Sequence, residues 1–178
     1  DSPVDVDLTD LTIRITDLPD DVTYGVGELW KAESGDFCGV RGQVQKLDRV
    51  RKRPEMLAYE CQRCATTNKV PQVDDGEKQE PHECNGCERQ GPFVIDFEES
   101  RLEPYKLARV QEPPEETQGG SADYIDVPLT NGLVGAVTAG DRATFSGKQH
   151  LQESGGDEGL FDPYLKPEGA EIEETDFE

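Results

Sequence analysis

The chain has 178 residues, 39 of them acidic and 18 basic, for a formal charge of −21, and only 33% are hydrophobic. That bounds it to one modest domain with room for a small core. No apolar run approaches the roughly 20 residues a bilayer-spanning helix needs, and the first 30 residues lack the basic-then-apolar pattern of a secretion signal, so the expectation is a soluble, cytoplasmic protein with no membrane partner. A surface this acidic repels polyanions unless its cations are gathered or molar salt screens the field. Lysine is scarce, 8 against 10 arginines, and acid is spread along the chain, which suggests a salt-loaded cytoplasm and a halophilic source, an acidic protein from an ordinary cell being the alternative.

Residues 1–35 read as a lead segment, with Leu11, Ile13 and Ile15 alternating with Thr12, Arg14 and Thr16 as a strand, and Val26 to Ala32 as a short helical turn. From Cys38 to Leu47, Cys38, Val40, Gly42 and Val44 share one face and Gly39, Arg41, Gln43 and Gln45 the other, the pattern of a half-buried strand. Its glycines favour a bulge or a tight barrel bend, and Cys38 reads as a small, unreactive core residue. Arg41, Lys46, Arg49, Arg51, Lys52 and Arg53 then face Asp48 alone. This concentration of cations suits phosphate contact, although a solvated loop offsetting nearby acid is the alternative.

Met56 to Glu60 lead as a strand into the sharpest feature, Cys61-x2-Cys64, nineteen residues, then Cys84-x2-Cys87. Two such pairs have the spacing of a tetrahedral zinc ribbon. Four thiolates saturate the ion, so the site is structural, holds one Zn2+ and carries no chemistry. Disulfides are the competing reading, but a chain without a secretion signal keeps its thiols reduced. A redox dithiol would need a single pair opening a helix. His82 reads as a surface histidine or a residue behind the ligands.

Pro92 to Phe97 continue as a strand, so the ribbon, residues 59–92, is an insertion between barrel strands. Tyr105 to Gln111, Tyr124 to Leu129 and Asp141 to Gly147 alternate similarly, with Arg101, Lys106 and Arg109 forming a second basic group. Gly119-Gly120, Asn131-Gly132 and Gly140-Asp141 mark turns, and Leu133 to Val137 a helical turn. Short strands at turn-separated intervals mean an all-β barrel or sandwich. The expected architecture is a small closed barrel, residues 36–150, carrying the ribbon in one loop, and OB-folds are such barrels. Residues 151–178 read as a hairpin remnant and an acidic tail or linker, ten acids against Lys166 alone after Leu151, disordered from Glu168.

The joined motifs Cys61-Gln62-Arg63-Cys64, Glu80 to Phe93, Lys106-Leu107-Ala108-Arg109-Val110-Gln111-Glu112-Pro113-Pro114-Glu115-Glu116 and Val137 to Arg142 closely resemble the N-terminal region of archaeal minichromosome maintenance (MCM) replicative helicases, the haloarchaeal members nearest. The resemblance covers roughly Leu18 to Leu165. It implies an OB-fold with an inserted zinc ribbon that assembles into a hexamer or double hexamer around DNA. Arg51, Arg53 and Pro54 match the family's V-R-P segment, and Arg109 the basic position before V-Q-E. Arg51, Lys52, Arg53, Lys106, Arg109 and Lys148 are accordingly the expected contacts to single-stranded and, further, double-stranded DNA. Glu112, Pro113, Pro114, Glu115 and on to Asp123 match the loop that couples this collar to the motor.

Three departures stand out. The stretch Gln152 to Gly159, matching the family's channel hairpin, carries no Lys or Arg. The family's N-terminal helical subdomain is missing or reduced to the first 30 or so residues. No G-x-x-x-x-G-K-[ST] occurs, so the expectation is a chain without an ATPase motor and not an enzyme. It would be either a fragment of a helicase or a short paralogue, partnering itself, an MCM motor domain or another MCM helicase near the nucleoid. The alternative function is a protein-interaction module that joins an MCM ring without touching DNA.

Overall fold

Residues 13–73, 76–117, 119–156 and 158–174 are described by the computed structural model. Eight strands form among them: β1 Thr23–Gly25, β2 Phe37–Leu47, β3 Arg51–Cys61, β4 Thr67–Pro71, β5 Phe93–Gln111, β6 Tyr124–Thr130, β7 Arg142–Glu153 and β8 Phe161–Ile172. They fall into two compact units, Asp1–Asp48 with Leu107–Glu178, and Arg49–Lys106.

In the first unit β2 is the organising strand. One edge carries β7, antiparallel from Phe37 to Gln43. The other edge carries β1, parallel at Gly39–Arg41, and then the last residues of β5, antiparallel from Gln43 to Leu47 with a bulge between Val44 and Lys46. β6 pairs with β5, and β7 with β8. The β7–β8 hairpin is long, running from Ala143 opposite Ile172 to Glu153 opposite Phe161, with a register shift between Ser146 and Gly147. At that shift a Cβ on Gly147 would overlap the Lys166 carbonyl oxygen, so only glycine lets the two backbones close. Bulges of this kind increase local twist and curl a sheet.

Inside the curl lies an aliphatic core with one aromatic ring: Val40 and Val44 from β2, Ala108 and Val110 from β5, Val127 and Leu129 from β6, Phe145 from β7 and Leu165 from β8. Two 3-10 turns, Val26–Lys31 and Asn131–Gly135, insert Val26, Leu29 and Leu133 into it. This is the all-β, OB-like curl that the alternation predicts. Cys38 lies in the core at 1% exposure, and burial, with Asp36 adding to it, pushes its thiol pKa up.

In the second unit β3 is central, with β4 paired from Met56 to Glu60 and the first part of β5 from Arg51 to Cys61. Pro54, which has no N–H to give, sits at a register shift. Beside a second shift, Ser100 Oγ accepts from the Ala58 N–H at 2.9 Å and donates to the Asp96 carbonyl at 2.6 Å. The side chain thereby replaces a missing rung of the ladder. Leu57, Ala58 and Tyr59 are buried. The Tyr59 ring meets Phe93 edge-on at 6.4 Å, and its hydroxyl donates to the Gln79 carbonyl at 2.8 Å.

Three expectations change. Ile13 to Thr16 form no strand, and Ile13 and Ile15 stand 74% and 50% exposed; Leu11 and Thr12 lie outside the described residues. Pro92 to Phe97 and Tyr105 to Gln111 are one strand, β5, because bulges let it continue across a break in the alternation. Of the tail expected from Glu168 to Glu178, Glu168 to Ile172 complete β8 against β7, their acid facing outward while Leu165, Pro167 and Gly169 are buried; Thr175 to Glu178 lie outside the described residues.

Candidate metal centre and cationic strands

Each cysteine pair closes on the same backbone turn. Cys61 ends β3, its carbonyl accepts from the Ala65 N–H at 2.8 Å, and its N–H donates to Thr66 O at 3.0 Å. Twenty-three positions on, the Cys84 carbonyl accepts from the Glu88 N–H at 2.9 Å and its N–H donates to Arg89 O at 2.8 Å. Ala65 and Glu88 occupy corresponding places with φ of 62° and 56°. The turns thus repeat each other residue for residue, each folding its thiols to one side.

The result is four Sγ atoms within 4.8 Å of one another. Cys61 and Cys87 are 3.7 Å apart and Cys64 and Cys84 3.5 Å, too far for a disulfide. A regular tetrahedron of ligands at the Zn–S length of about 2.3 Å has edges of roughly 3.8 Å. The donor set and spacing therefore fit a tetrahedral thiophilic ion, with all four positions filled from the protein. Cys84 is fully buried, and its thiol pKa is drawn down to about 6 by the Cys87 backbone N–H first, then by those of Gly86 and the Asn68 amide, against burial. Cys64 is lowered chiefly by Thr66. For Cys87 the Arg89 N–H lowers the pKa, but burial and the Cys64, Cys61 and Cys84 sulfurs outweigh it and push it up to about 11. Four thiols this close cannot all ionise without a cation between them. His82 is exposed and outside the cluster.

The predicted DNA-contacting cations divide between the units. In the second unit Arg51 and Lys52 are exposed on β3 and Lys106 is half-buried on β5. Arg53 directs Nε and Nη2 at Glu103 Oε1, at 3.0 and 2.6 Å, and lies 5.1 Å from the Tyr105 ring centroid. Only 19% of the Arg53 side chain and 9% of Glu103 remain exposed. In the first unit Arg109 holds Asp126 through Nε and Nη2 at 3.0 and 3.2 Å and stacks 4.3 Å above the Tyr124 ring. Lys148, exposed on β7, stands directly opposite Lys166 on β8. Of the run from Arg41 to Arg53, Arg41 belongs to the first unit, where Glu116 and Glu173 engage it, and Arg49, Arg51, Lys52 and Arg53 belong to the second.

The loop from Glu112 to Asp123 is closed at its base by the Glu112 N–H donating to Asp123 O at 3.1 Å. Pro113 is buried, and its carbonyl accepts from the Glu116 N–H and the Thr117 hydroxyl. That turn presents Glu115 to Arg142 and Glu116 to Arg41. Sequence reading missed Glu103, Asn68 and Lys166. Glu103 falls between two predicted strands and Lys166 in the segment read as a hairpin remnant and tail, and only the observed register sets them opposite Arg53 and Lys148. Asn68 carried no signal.

The family profile described as the MCM OB domain matches residues 26–152. Among curated proteins, the "Minichromosome maintenance protein MCM" of Saccharolobus solfataricus is 26% identical across 93% of this chain and 25% of its own length. The "DNA replication licensing factor MCM2" of Arabidopsis thaliana is 22% identical across 78% of this chain and 15% of its own, and that of Xenopus tropicalis 24% across 82% and 16%. The chain thus spans about a quarter or less of these relatives. Among solved structures, the 1.8 Å crystal structure of the N-terminal domain of an archaeal MCM superposes with a TM-score of 0.68 at 20% identity, over 86% of this chain and 63% of that one.

Proposed function

This chain belongs to the MCM OB-domain family, and from that we propose that it is a non-catalytic, zinc-stabilised collar that binds DNA and joins a ring of like subunits in a replicative helicase. The observation carrying the reading is the family match across residues 26–152 together with the curled OB-like sheet. Cys61, Cys64, Cys84 and Cys87 hold one structural Zn2+, whose part is to fix the ribbon. Residues 36–150 are the OB barrel with the ribbon at 59–92, and Phe161–Ile172 form the second arm of the β7–β8 hairpin. Glu112 to Asp123 act as the loop through which a motor domain senses the collar.

DNA contact is assigned to Arg51, Lys52, Arg53 and Lys106 in one unit and Arg109 and Lys148 in the other. Arg109 supports it best. Its side chain is 46% exposed and its guanidinium is held in one orientation by Tyr124 and Asp126, with Nη1 left to meet a phosphate. Neutralising a phosphate with Arg109 releases a counterion condensed on the DNA and makes binding salt-dependent.

The test is fluorescence anisotropy of a labelled single-stranded oligonucleotide with zinc-loaded protein across a KCl series. Binding should weaken with salt, and Arg109→Gln and Lys52→Ala should each lower it and flatten the salt slope by about one. Arg53→Ala is a poor probe, since it strands a buried carboxylate. A second reading is favoured by two observations: Arg53 and Arg109 are already matched by carboxylates, and the hairpin tip lacks cations. If folded, zinc-loaded protein fails to bind at every salt concentration yet runs as an oligomer in native mass spectrometry, the chain is an interaction module of the ring.

A further inference from the structure

The first cysteine turn is tied to the chain leaving the second by the Gln62 N–H donating to Pro92 O at 2.9 Å and Arg63 Nε donating to Gly91 O at 2.7 Å, but these contacts lie beyond Cys87 and leave the facing of the two turns themselves to be set. A single buried side chain, Asn68 on β4, touches both. It is 1% exposed. Its Oδ1 accepts from the Asn85 N–H at 2.8 Å, inside the second turn. Its Nδ2 faces Thr66 O at 3.2 Å and Tyr59 O at 3.4 Å, both flanking the first turn, and Cys84 Sγ at 3.6 Å. These neighbours fix the amide's orientation: a backbone N–H can only donate and a backbone carbonyl can only accept, so the reverse orientation would set acceptor on acceptor and donor on donor. The same junction is too close for a side chain at Gly86, where a Cβ would overlap the Thr66 hydroxyl. The Gly86 N–H also donates to Cys84 Sγ at 3.3 Å.

We propose that Asn68 is the positioning residue that sets the Cys84-x2-Cys87 turn in register on the Cys61-x2-Cys64 turn, and that its carboxamide tunes the Cys84 sulfur by donating to it. The inference rests on the zinc reading above. Nothing in the cysteine spacing requires it, because β4 reaches this junction only when paired with β3, where Asn68 lies opposite Tyr59. Partners standing behind metal ligands typically change affinity by about 10–100-fold when removed. Asn68→Asp keeps the shape and the acceptor but turns an oxygen toward two carbonyls and a sulfur. Asn68→Ser is too short to span from Asn85 N–H to Cys84 Sγ.

The experiment uses the whole chain in wild type, Asn68→Asp, Asn68→Ser and Asn85→Ala, with Zn2+ affinity read by chelator competition and the sulfur environment by the thiolate-to-metal charge-transfer band of the Co2+ form. The fluorescence of Trp30, the sole tryptophan, monitors the first unit's fold. One metal per wild-type chain is expected. Both Asn68 variants should lose at least about tenfold in affinity, and at saturating Co2+ their band should move to longer wavelength, since an unsupported thiolate holds its electrons less tightly. Asn85→Ala should match wild type, because Asn68 uses only its backbone N–H. Wild-type affinity in both Asn68 variants would overturn the proposal, and so would lower affinity with an unmoved band, which marks a packing role alone. Failure of the wild type to bind metal would instead refute the zinc reading.

Discussion

Arg53 shows how a residue's neighbours change what its mutation means. Seen as one of six cations against a single acid, it is a DNA contact to be tested by deletion. In the fold its guanidinium satisfies Glu103, which is 8% exposed. Removing Arg53 alone takes two donors from a carboxyl group that is nearly out of water, a change worth on the order of 3 kcal/mol. Arg53→Ala should therefore lower the urea midpoint of the second unit, and Arg53→Ala with Glu103→Gln should recover most of the loss. If the single variant melts like wild type, the pair contributes nothing to the fold and Arg53 regains its value as a DNA probe. Lys52, exposed and next to it in the chain, is legible from sequence in the same way and lacks this entanglement.

At the scale of an element, the loop from Glu112 to Asp123 is tied down rather than trailing. Arg41 on β2 bridges Glu116 and Glu173, and Arg142 on β7 holds Glu115. Each partner remains about a third to a half exposed, so solvent screens each pair and its contribution to global stability is small. The local effect is larger than the global one. Arg41→Ala should leave the melting temperature within a few degrees while amides of the loop exchange faster by hydrogen–deuterium mass spectrometry; unchanged exchange would show that Pro113 and the loop's base alone hold it.

The pH dependence follows from Glu115. Its own backbone N–H first, and Arg142 after it, hold its carboxyl pKa below the usual range. A carboxyl lowered in the folded state contributes stability above its unfolded pKa, near 4.3 for Glu, and loses it as pH falls through the lower folded value. Loop protection should accordingly be constant at neutral and mildly acidic pH and fade only below about pH 4.

Over the whole molecule, acid exceeds base by 21 charges, and the few internal pairs do not offset that. Net repulsion expands a chain, and salt removes it: the Debye length shrinks from about 10 Å at 0.1 M to about 3 Å at 1 M. The thermal midpoint by circular dichroism should rise by several degrees as KCl goes from about 0.1 M to about 2 M, despite the screening of Arg41 and Arg53 pairs. A midpoint that falls would mean that those attractive pairs outweigh the repulsion.

The sequence by itself determined what depends on local pattern. Period-two alternation marks β2 and β6 because one face of a pleated strand is buried and the other is not. Two Cys-x2-Cys pairs predict a metal cluster because a short turn must point both thiols the same way, whatever surrounds it. What tertiary structure alone decided depends on partners distant in the chain. Glu168 to Ile172 look disordered as an acidic run, yet become strand because β7 supplies their hydrogen bonds and Leu165 anchors them. Arg53 meets Glu103 and Asn68 meets Cys84 only through antiparallel register and chain reversal. Burial then turns each meeting from a solvated coincidence into an interaction with a cost when broken, because water is no longer there to replace the lost partner.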